Sequence, residues 1–307
     1  MTRSCHEITA LELFCGIGGF AAAIGDSSVR VVAALDQSPV ALAVYRHNLP
    51  RHSPRSCDLE QVSATELAGH AADLWWLSPP CQPYSVRGHR HDLADPRARS
   101  LARLLDVMAA MPPDSLPRHL ALENVPGFAG SQARTRLVAL LASRQYAIAE
   151  RLLCPTELGI PSRRLRYYLV ASRAGLEPVR PLAVCPRPLT EFLDPYLNEE
   201  PSAGLLVDPG VVARFGEGFR ILDPDAPAAY TTCFTAGYGR SLMHAGSYLR
   251  CRNGVRRFAP HEIAALLGFP AEFSFPEEVP LRKRWHLLGN SLSVTAVRSV
   301  LAQIGLR

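Results

Sequence analysis

The sequence predicts an α/β fold in which a doubly wound, mainly parallel sheet is accompanied by a second, smaller domain. Short apolar runs alternate with segments of helical spacing from residue 9 to residue 171. A glycine-rich turn directly follows the first apolar run, and near Leu176 the alternation gives way to proline-rich and glycine-rich sequence, which indicates a domain boundary. The chain of 307 residues, 48% hydrophobic and 20% charged, is long enough to bury a core in each domain.

The elements follow in chain order. Strands are predicted for the apolar runs at residues 9–14, 29–35, 72–77, 118–123, 146–153 and 166–171. Helices are predicted after the glycine-rich turn, at residues 39–47, 96–108, 132–143 and 260–268, and after Ser291. Ser38 and Pro39 mark the start of the second helix, because serine caps a helix N-terminus and proline fits its first position.

Composition narrows the function only slightly. The net charge of +5 and the isoelectric point near 8.9 fit a polyanionic partner, and Lys283 is the only lysine among 33 basic residues. Arginine suits phosphate recognition, but a GC-rich genome would produce the same bias. Eight cysteines without a C-x-x-C pair argue against a zinc site and against a disulfide framework, so we expect no metal.

Hydropathy indicates the location of the protein in the cell. No uninterrupted apolar run reaches about 18 residues, the length that a membrane-spanning helix requires. The N-terminal residues lack the hydrophobic core of a signal peptide. We therefore expect a soluble, cytoplasmic protein with no membrane partner.

Cys81 is the candidate nucleophile. It lies in the segment S-P-P-C-Q-P at residues 78–83, directly after the predicted buried strand at 72–77. Proline fixes its own φ angle and biases the preceding residue toward extended backbone, so the thiol sits on a stiff turn. Open α/β sheets carry their chemistry at such strand ends. The polar segment 85–92 indicates a solvent-facing loop; the alternative is a small buried thiol that only packs.

The glycine-rich turn predicts a nucleoside-bearing cofactor. Residues 14–19 (F-C-G-I-G-G) follow the first strand, and glycine lets a backbone approach a ligand without an intervening Cβ. The turn is shorter than the dinucleotide fingerprint and has no phosphate-binding lysine, which disfavours NAD and ATP. Asp36, at the end of the second strand, is placed to accept hydrogen bonds from ribose hydroxyls. S-adenosylmethionine fits this pattern, although a plain turn with a helix-capping aspartate would look similar.

Two further segments carry candidate site residues. Glu123 ends the strand at 118–123, which should bring its carboxylate to the same sheet edge as Cys81. An ordinary strand-end acid is the alternative. Arg164 and Arg166 lie two residues apart at a strand start, which predicts that their side chains share one face. A basic pair of this kind is also common on solvated surfaces.

Together these motifs resemble those of the cytosine carbon-5 methyltransferases. In chain order the motifs are FCGIGG, ALDQS, CDLEQV, SPPCQPYS, ENVPGF, GIPSRRLRYYLVA and LLGNSLSV. They span essentially the whole chain, and the cysteine loop followed by ENV is highly specific. The resemblance implies a Rossmann-like, S-adenosylmethionine-dependent methyltransferase domain at residues 1–177 and 281–307, with an inserted target-recognition domain at 178–280.

The resemblance also implies roles for single residues. Cys81 would add to carbon 6 of cytosine, while Glu123 would bind ring N3 and the exocyclic amine. Arg164 would contact the cytosine carbonyl oxygen, and Arg166 would help to hold the active-site loop and the carboxylate. The implied contacts to S-adenosylmethionine are Phe14, Gly16, Ile17, Gly18, Gly19, Asp36, Gln37, Asp58, Leu59, Pro80, Asn290 and Ser291.

Within the family, the chain is most similar to the tRNA aspartate methyltransferases. The similarity rests on C-F-T at 233–235 followed by G-Y-G at 237–239, on residues 155–168, 257–270 and 287–291, and on the compact recognition region. Ser162 departs from the asparagine usual in that subgroup, as do Tyr84 and Ser85 from the usual Phe-Thr.

This subgroup implies a monomer that methylates an anticodon-loop cytosine of tRNA-Asp. A DNA cytosine methyltransferase of a restriction-modification system is the alternative, because the catalytic motifs are shared. A catalytically idle nucleic-acid-binding protein is disfavoured, since the cysteine, the glutamate, the arginine and the glycines are all present. Cys233 is a possible second functional thiol.

Overall fold

The computed structural model describes residues 7–25, 27–85, 91–179 and 184–306. These residues form two compact units. The larger takes the described residues up to 153, those from 165 to 179 and those from 296 onward; the smaller takes residues 154–164 and 184–295. The smaller unit thus also contains 154–164 and 281–295, which the sequence analysis assigns to the catalytic domain. Most of the predicted loop at 85–92 lies outside the described residues.

One sheet organises the larger unit. Its seven strands among the described residues are β1 (Ile8–Leu13), β2 (Val29–Asp36), β3 (Arg55–Ser56), β4 (Leu74–Leu77), β5 (His119–Asn124), β6 (Ala147–Leu153) and β7 (Arg166–Ser172). Their spatial order is β3-β2-β1-β4-β5-β7-β6. The first five run parallel, and β7 is antiparallel to both of its neighbours. The predicted mainly parallel α/β sheet is confirmed.

Helices connect these strands. They are α1 (Gly19–Ile24), α2 (Pro39–Asn48), α3 (Ala64–Gly69), α4 (Arg99–Ala110) and α5 (Gln132–Ser143). Ser38 caps α2 as predicted, because its hydroxyl accepts a hydrogen bond from the Ala41 N–H at 3.3 Å. The predicted helix at 96–108 begins with a short 3-10 turn at Pro96–Ala98 before α4. The strand β3 and the helix α3 are not in the prediction, since both are short.

The central strands are apolar on both faces because helices cover the sheet on both sides. All four residues of β4 are buried. On one face Trp75 joins the core cluster that includes Leu104 of α4. On the other, Trp76 stacks on Phe20 of α1 with ring centroids 5.2 Å apart. The candidate site is therefore built on the rigid centre of the sheet.

Glu12, in the middle of β1, is a buried acid that the sequence analysis does not single out. Its side chain accepts a 2.9 Å hydrogen bond from the Tyr45 hydroxyl and further bonds from the N–H groups of Phe20 and Ala21. These N–H groups belong to the second and third residues of α1, whose cap residue is Gly18 and therefore has no side chain that could accept from them. Burial raises the pKa of Glu12 to about 8.

The smaller unit contains a three-stranded sheet and four helices within the part of the chain that the structure describes. The strands β8 (Arg220–Leu222), β9 (Ser247–Cys251) and β10 (Gly254–Arg257) have the order β10-β9-β8. The helices are α6 (Tyr196–Glu199), α7 (Pro209–Phe215), α8 (Pro260–Leu267) and α9 (Leu281–Asn290). A last helix, α10 (Val294–Leu301), follows, and the division between the units falls inside it.

A buried ion pair lies in the core of the smaller unit. Arg256 donates two hydrogen bonds of 2.7 and 2.8 Å to Glu262, and neither side chain is accessible to solvent. The Oδ1 atom of Asn198 also accepts from Arg256, and Glu262 accepts from the N–H groups of Asp194 and Ala259. Such additional bonds are what a buried ion pair requires to offset its desolvation.

No described helix meets the length and hydropathy that crossing a membrane requires.

Replacing Glu12 with glutamine should flatten the dependence of stability on pH. Folding raises the Glu12 pKa from an ordinary 4.5 to about 8, so the folded state keeps a proton that the unfolded state releases between these values. The unfolding free energy of the wild type should fall across this interval, by at most a few kcal/mol. Glutamine cannot ionise, and its amide oxygen can still accept from Tyr45.

Urea denaturation at about pH 5 and about pH 8 measures this difference. The exposed Glu60→Gln is the control and should keep the wild-type slope. A Glu12→Gln protein with an unchanged pH slope would contradict the role assigned to this carboxyl.

Candidate active site

The candidate nucleophile lies on a short, ordered loop. Cys81 follows β4 by four residues and is partly exposed. It precedes the 3-10 turn Gln82–Tyr84, and its carbonyl accepts from the Tyr84 N–H at 3.1 Å. The predicted position beyond a strand's carboxyl end is confirmed, and the thiol is neither fully buried nor on a loose segment.

The chain after β5 holds this cysteine loop in place. The buried Asn124 donates its amide to the Pro79 carbonyl at 3.1 Å. The turn that follows approaches so closely that a Cβ on Gly127 would lie 2.1 Å from the Tyr84 carbonyl oxygen. The Tyr84 ring packs edge-on against the buried Phe128. The E-N-V-P-G-F motif therefore supports the S-P-P-C loop through its backbone and its amide.

Glu123 lies where the sequence analysis places it, near the carboxyl end of β5. Because β4 and β5 pair in parallel, this end and the Cys81 loop share one edge of the sheet. The Glu123 Oε1 atom is 3.3 Å from the Nε of Arg166, the first residue of β7, and each side chain is 12% exposed. The ion pair thus holds the carboxylate in a largely desolvated position.

Arg97 is a further cation near Cys81 that the sequence analysis does not identify. It donates to both carboxylate oxygens of the buried Asp95, at 2.9 and 2.7 Å. This pairing raises the pKa of Arg97, and a thiolate at Cys81 would make a smaller contribution in the same direction. The same bonds lower the pKa of Asp95 to about 2. The D-P-R sequence at 95–97, one turn before α4, is the signal that could have revealed it.

The glycine-rich turn has the backbone that a cofactor cradle needs. Gly16 and Gly18 have φ angles of +52° and +85°, and Phe14 also has a positive φ of 59°. A Cβ on Gly16 would meet no described atom within 4 Å, whereas one on Gly18 would lie 2.9 Å from Leu49. The open side at Gly16 leaves room for a ligand to approach the backbone.

Asp36 fixes the shape of this turn. One carboxylate oxygen accepts from the Gly16 N–H and the other from the Ser38 N–H, each at 2.8 Å. Asp36, the residue predicted to bind the ribose, therefore also links the ends of β1 and β2 through hydrogen bonds. Carboxylate oxygens accept more than one hydrogen bond, so these contacts leave capacity for ligand hydroxyls.

The remaining predicted cofactor residues divide between the two units. Ile17 and Gly19 are buried at the start of α1, and Gln37 is exposed beside Asp36. The Cys57 N–H donates to the Asp36 carbonyl. This bond brings the next two residues, the exposed Asp58 and the buried Leu59, close to Asp36. Pro80, in the cysteine loop, is partly buried. Asn290 and Ser291 lie at the end of α9, in the smaller unit.

Arg164 is buried in the smaller unit. Its guanidinium donates to the Cys233 sulfur at 3.2 Å, to the Phe234 and Gly289 carbonyls, and to the Ser291 carbonyl. It therefore joins the C-F-T segment to the residues that end α9. The expectation that Arg164 and Arg166 share a strand face fails, because β7 begins only at Arg166 and the two residues belong to different units.

Replacing Gly127 with alanine should destabilise the larger unit. The new Cβ would collide with the Tyr84 carbonyl, which is backbone and cannot rotate away, at a cost of about 1–3 kcal/mol. Urea denaturation reports this change. Gly130→Ala is the matched control, since a Cβ there meets no described atom within 4 Å. Equal stability of the two variants would show that the cysteine loop is not clamped in this way.

Replacing Arg97 with glutamine should slow the alkylation of Cys81 several-fold at neutral pH. A nearby cation stabilises the thiolate, which is the reactive form of the side chain. Iodoacetamide labelling followed by peptide mass spectrometry separates Cys81 from the other thiols. Exposed Arg99→Gln has the same charge change and should react like the wild type. An unchanged rate in Arg97→Gln would remove this residue from the site.

Comparison with known proteins identifies the family of the chain. The family of C-5 cytosine-specific DNA methylases matches residues 8–203 and 228–306. A rat tRNA (cytosine(38)-C(5))-methyltransferase is 30% identical over 390 residues, covering 96% of this chain and 98% of that protein. The type II methyltransferase M.NlaX of Neisseria lactamica is 27% identical, with 96% and 95% covered.

The fold agrees with these relatives. The crystal structure of the Schizosaccharomyces pombe Dnmt2 methyltransferase superposes with a TM-score of 0.84 at 27% identity, covering 96% of this chain and 97% of that one. The match over both units confirms the resemblance drawn from the sequence motifs. The chain belongs to the C-5 cytosine-specific DNA methylase family and is a cytosine C5 methyltransferase.

Proposed function

We propose that this methyltransferase modifies carbon 5 of an anticodon-loop cytosine in tRNA-Asp, through a covalent adduct with Cys81. One observation supports the chemistry above all others. Cys81 and the Arg166-bound Glu123 lie at the same edge of the sheet, beyond or near the carboxyl ends of the neighbouring strands β4 and β5. A nucleophile and a carboxylate so placed fit the attack on a cytosine ring.

The covalent step addresses the low reactivity of cytosine. Carbon 5 is a poor nucleophile, so the Cys81 thiolate adds to carbon 6 and moves electron density onto carbon 5. S-adenosylmethionine, which the family implies, would supply the methyl group from its sulfonium, and the S–CH3 bond would break to leave S-adenosylhomocysteine. After methylation, carbon 5 loses its proton to solvent, and the electron pair of that C–H bond expels the Cys81 thiolate and restores the aromatic ring.

Glu123 would stabilise the ring while charge develops. Its carboxyl would bind ring N3 and the exocyclic amine, and the ion pair with Arg166 would fix its orientation. This supports the role that the resemblance gives to Arg166. Arg97 adds a second cation near the thiolate.

S-adenosylmethionine would be held mainly by the larger unit. The turn from Phe14 to Gly19 has the open backbone that a ligand can approach, and Asp36 would accept from the ribose hydroxyls. Gln37, Asp58, Leu59 and Pro80 would complete the adenine and ribose surroundings, together with Asn290 and Ser291.

Arg164 would act on this site as well. By resemblance it contacts the cytosine carbonyl oxygen, and its bonds to the Gly289 and Ser291 carbonyls support a further, positioning role for the residues that end α9. Its contact with Cys233 explains why that thiol sits in a signature segment without requiring it to react.

The choice of tRNA is supported by the relatives and by the C-F-T segment. The rat relative is named for cytosine 38 of tRNA, and it and this chain align over nearly their whole lengths. An unpaired loop base can be splayed into a pocket with less cost than a duplex base. The description of the matching family, which names DNA, supports DNA as the alternative substrate. We further infer that the enzyme acts as a monomer in the cytoplasm.

Replacing Cys81 with alanine should abolish both methylation and the trapped adduct. RNA containing 5-fluorocytidine at the target position should form a denaturation-resistant complex with the wild type, because fluorine cannot leave carbon 5 as a proton does. The Glu123→Gln protein should lose rate by about 10² or more. Exposed Cys185→Ala is the control and should form the complex normally. Turnover by Cys81→Ala would overturn the covalent mechanism.

Unmodified tRNA-Asp should be methylated far faster than duplex DNA. Both polyanions can bind through their phosphates, so only turnover distinguishes them. Incubation with each nucleic acid at equal nucleotide concentration, followed by digestion, gives 5-methylcytidine or 5-methyldeoxycytidine. A tRNA-Asp in which the target cytosine is replaced by uridine should accept no methyl group. Exclusive formation of the deoxynucleoside would replace the tRNA proposal with the DNA alternative.

A further inference from the structure

Two exposed arginines of the smaller unit lie over the same aromatic ring. The guanidinium carbon of Arg163 is 4.1 Å from the centroid of the Tyr230 ring, and that of Arg220 is 4.7 Å from it. Because both distances are measured to the same centroid, the two guanidinium carbons are at most about 9 Å apart. Tyr230 is partly buried, whereas both arginines are exposed. We call these three residues the arginine–tyrosine stack.

The backbone fixes the stack in place. The buried Thr231 accepts from the Arg163 N–H and donates to the Pro161 carbonyl, each at 2.8 Å. The next residue, Thr232, donates its N–H to the Ser247 hydroxyl at 2.9 Å, and Ser247 pairs with Arg220 across β8 and β9. Three separate chain segments therefore meet at the ring through hydrogen bonds, and the arginines are not carried on a free loop.

Among the described residues, the two arginines of the stack, Arg163 and Arg220, have no carboxylate counterion. Two guanidinium groups held at one ring repel each other, and an anion bound to either of them would relieve that repulsion. An aromatic ring also restricts the guanidinium planes, which lowers the entropy lost when their N–H groups bind phosphate oxygens.

The stack lies next to residues already placed in the site. Arg163 precedes Arg164 in the chain, and Tyr230 is three residues before Cys233, the sulfur to which Arg164 donates. We propose that the arginine–tyrosine stack binds phosphate groups of tRNA and positions the strand that carries the target cytosine. This inference rests on the proposed tRNA substrate. The proposed phosphate site lies in the smaller unit, and no single shared sequence motif includes all three of its residues.

The experiment measures binding of an unmodified tRNA-Asp transcript as a function of salt, and methylation of the same transcript. Arg163→Gln and Arg220→Gln should each raise the dissociation constant by about three- to tenfold and lower the slope of log K against log salt by about one. Tyr230→Phe keeps the ring and should bind like the wild type. Tyr230→Leu keeps both charges but should still weaken binding about threefold, because the guanidinium planes lose their support.

Arg214→Gln is the matched control. Arg214 is exposed in the same unit and lies over a different ring, that of Phe215 at 5.1 Å, so its removal changes the net charge equally. It should leave the affinity and the salt slope unchanged within about twofold. Circular dichroism melting curves confirm that each variant is folded. An equal loss in Arg214→Gln, or no loss in Arg163→Gln and Arg220→Gln, overturns the proposal.

Binding and turnover separate this inference from the function on which it rests. If the wild type methylates tRNA but the stack variants bind it normally, the stack proposal alone fails. If the wild type methylates no tRNA while the stack variants lose tRNA affinity, the proposed substrate fails and the phosphate site stands. If the variants lose affinity only for duplex DNA, the assignment of the stack to tRNA is wrong.

Discussion

The parallel pairing of β4 with β5 is the interaction on which the candidate site depends. It sets Leu77 opposite Leu122, so the chain leaves both strands at the same edge of the sheet. Cys81 follows one strand, and Glu123 lies near the end of the other. Since Trp75 and Trp76 of β4 pack on opposite faces of the sheet, a one-residue shift of its register would exchange these faces and disrupt both sets of contacts. The candidate site is therefore tied to the buried centre of the sheet of the larger unit.

The two units bury charge in different ways, and the difference follows from the available partners. Glu12 has a tyrosine hydroxyl and backbone N–H groups beside it, so burial favours its neutral form. Glu262 faces Arg256 in a two-bond geometry, with Asn198 and backbone donors completing the network. Removing either partner of that pair would leave an uncompensated buried charge, and this strongly lowers the free energy of unfolding.

The sequence was sufficient for elements with strong local signals. The helix α5 has the predicted bounds, whereas α9 (Leu281–Asn290) was not predicted because it is rich in charge and contains a glycine. Strand ends likewise located Cys81 and Glu123. Asn124 and Arg97 could not be found in this way, because their importance comes from contacts with segments that are distant in the sequence. Local sequence pattern predicts which residues lie at the edge of the sheet, but it does not predict which residues stabilise them in that position.

The arginines of the R-R-L-R segment show why charge alone identifies so little in this chain. Arg164 uses its guanidinium on buried carbonyl groups, and Arg166 pairs with Glu123. Arg163, one residue earlier, has a backbone bond to Thr231 but no carboxylate partner among the described residues. Arg163 and Arg164 belong to the smaller unit and Arg166 to the larger, because the chain passes from one compact unit to the other between residues 164 and 165. An excess of arginine can result from a GC-rich genome and is weak evidence for an anionic partner. Stronger evidence is an arginine whose position is fixed by other contacts and whose charge is not paired with a carboxylate.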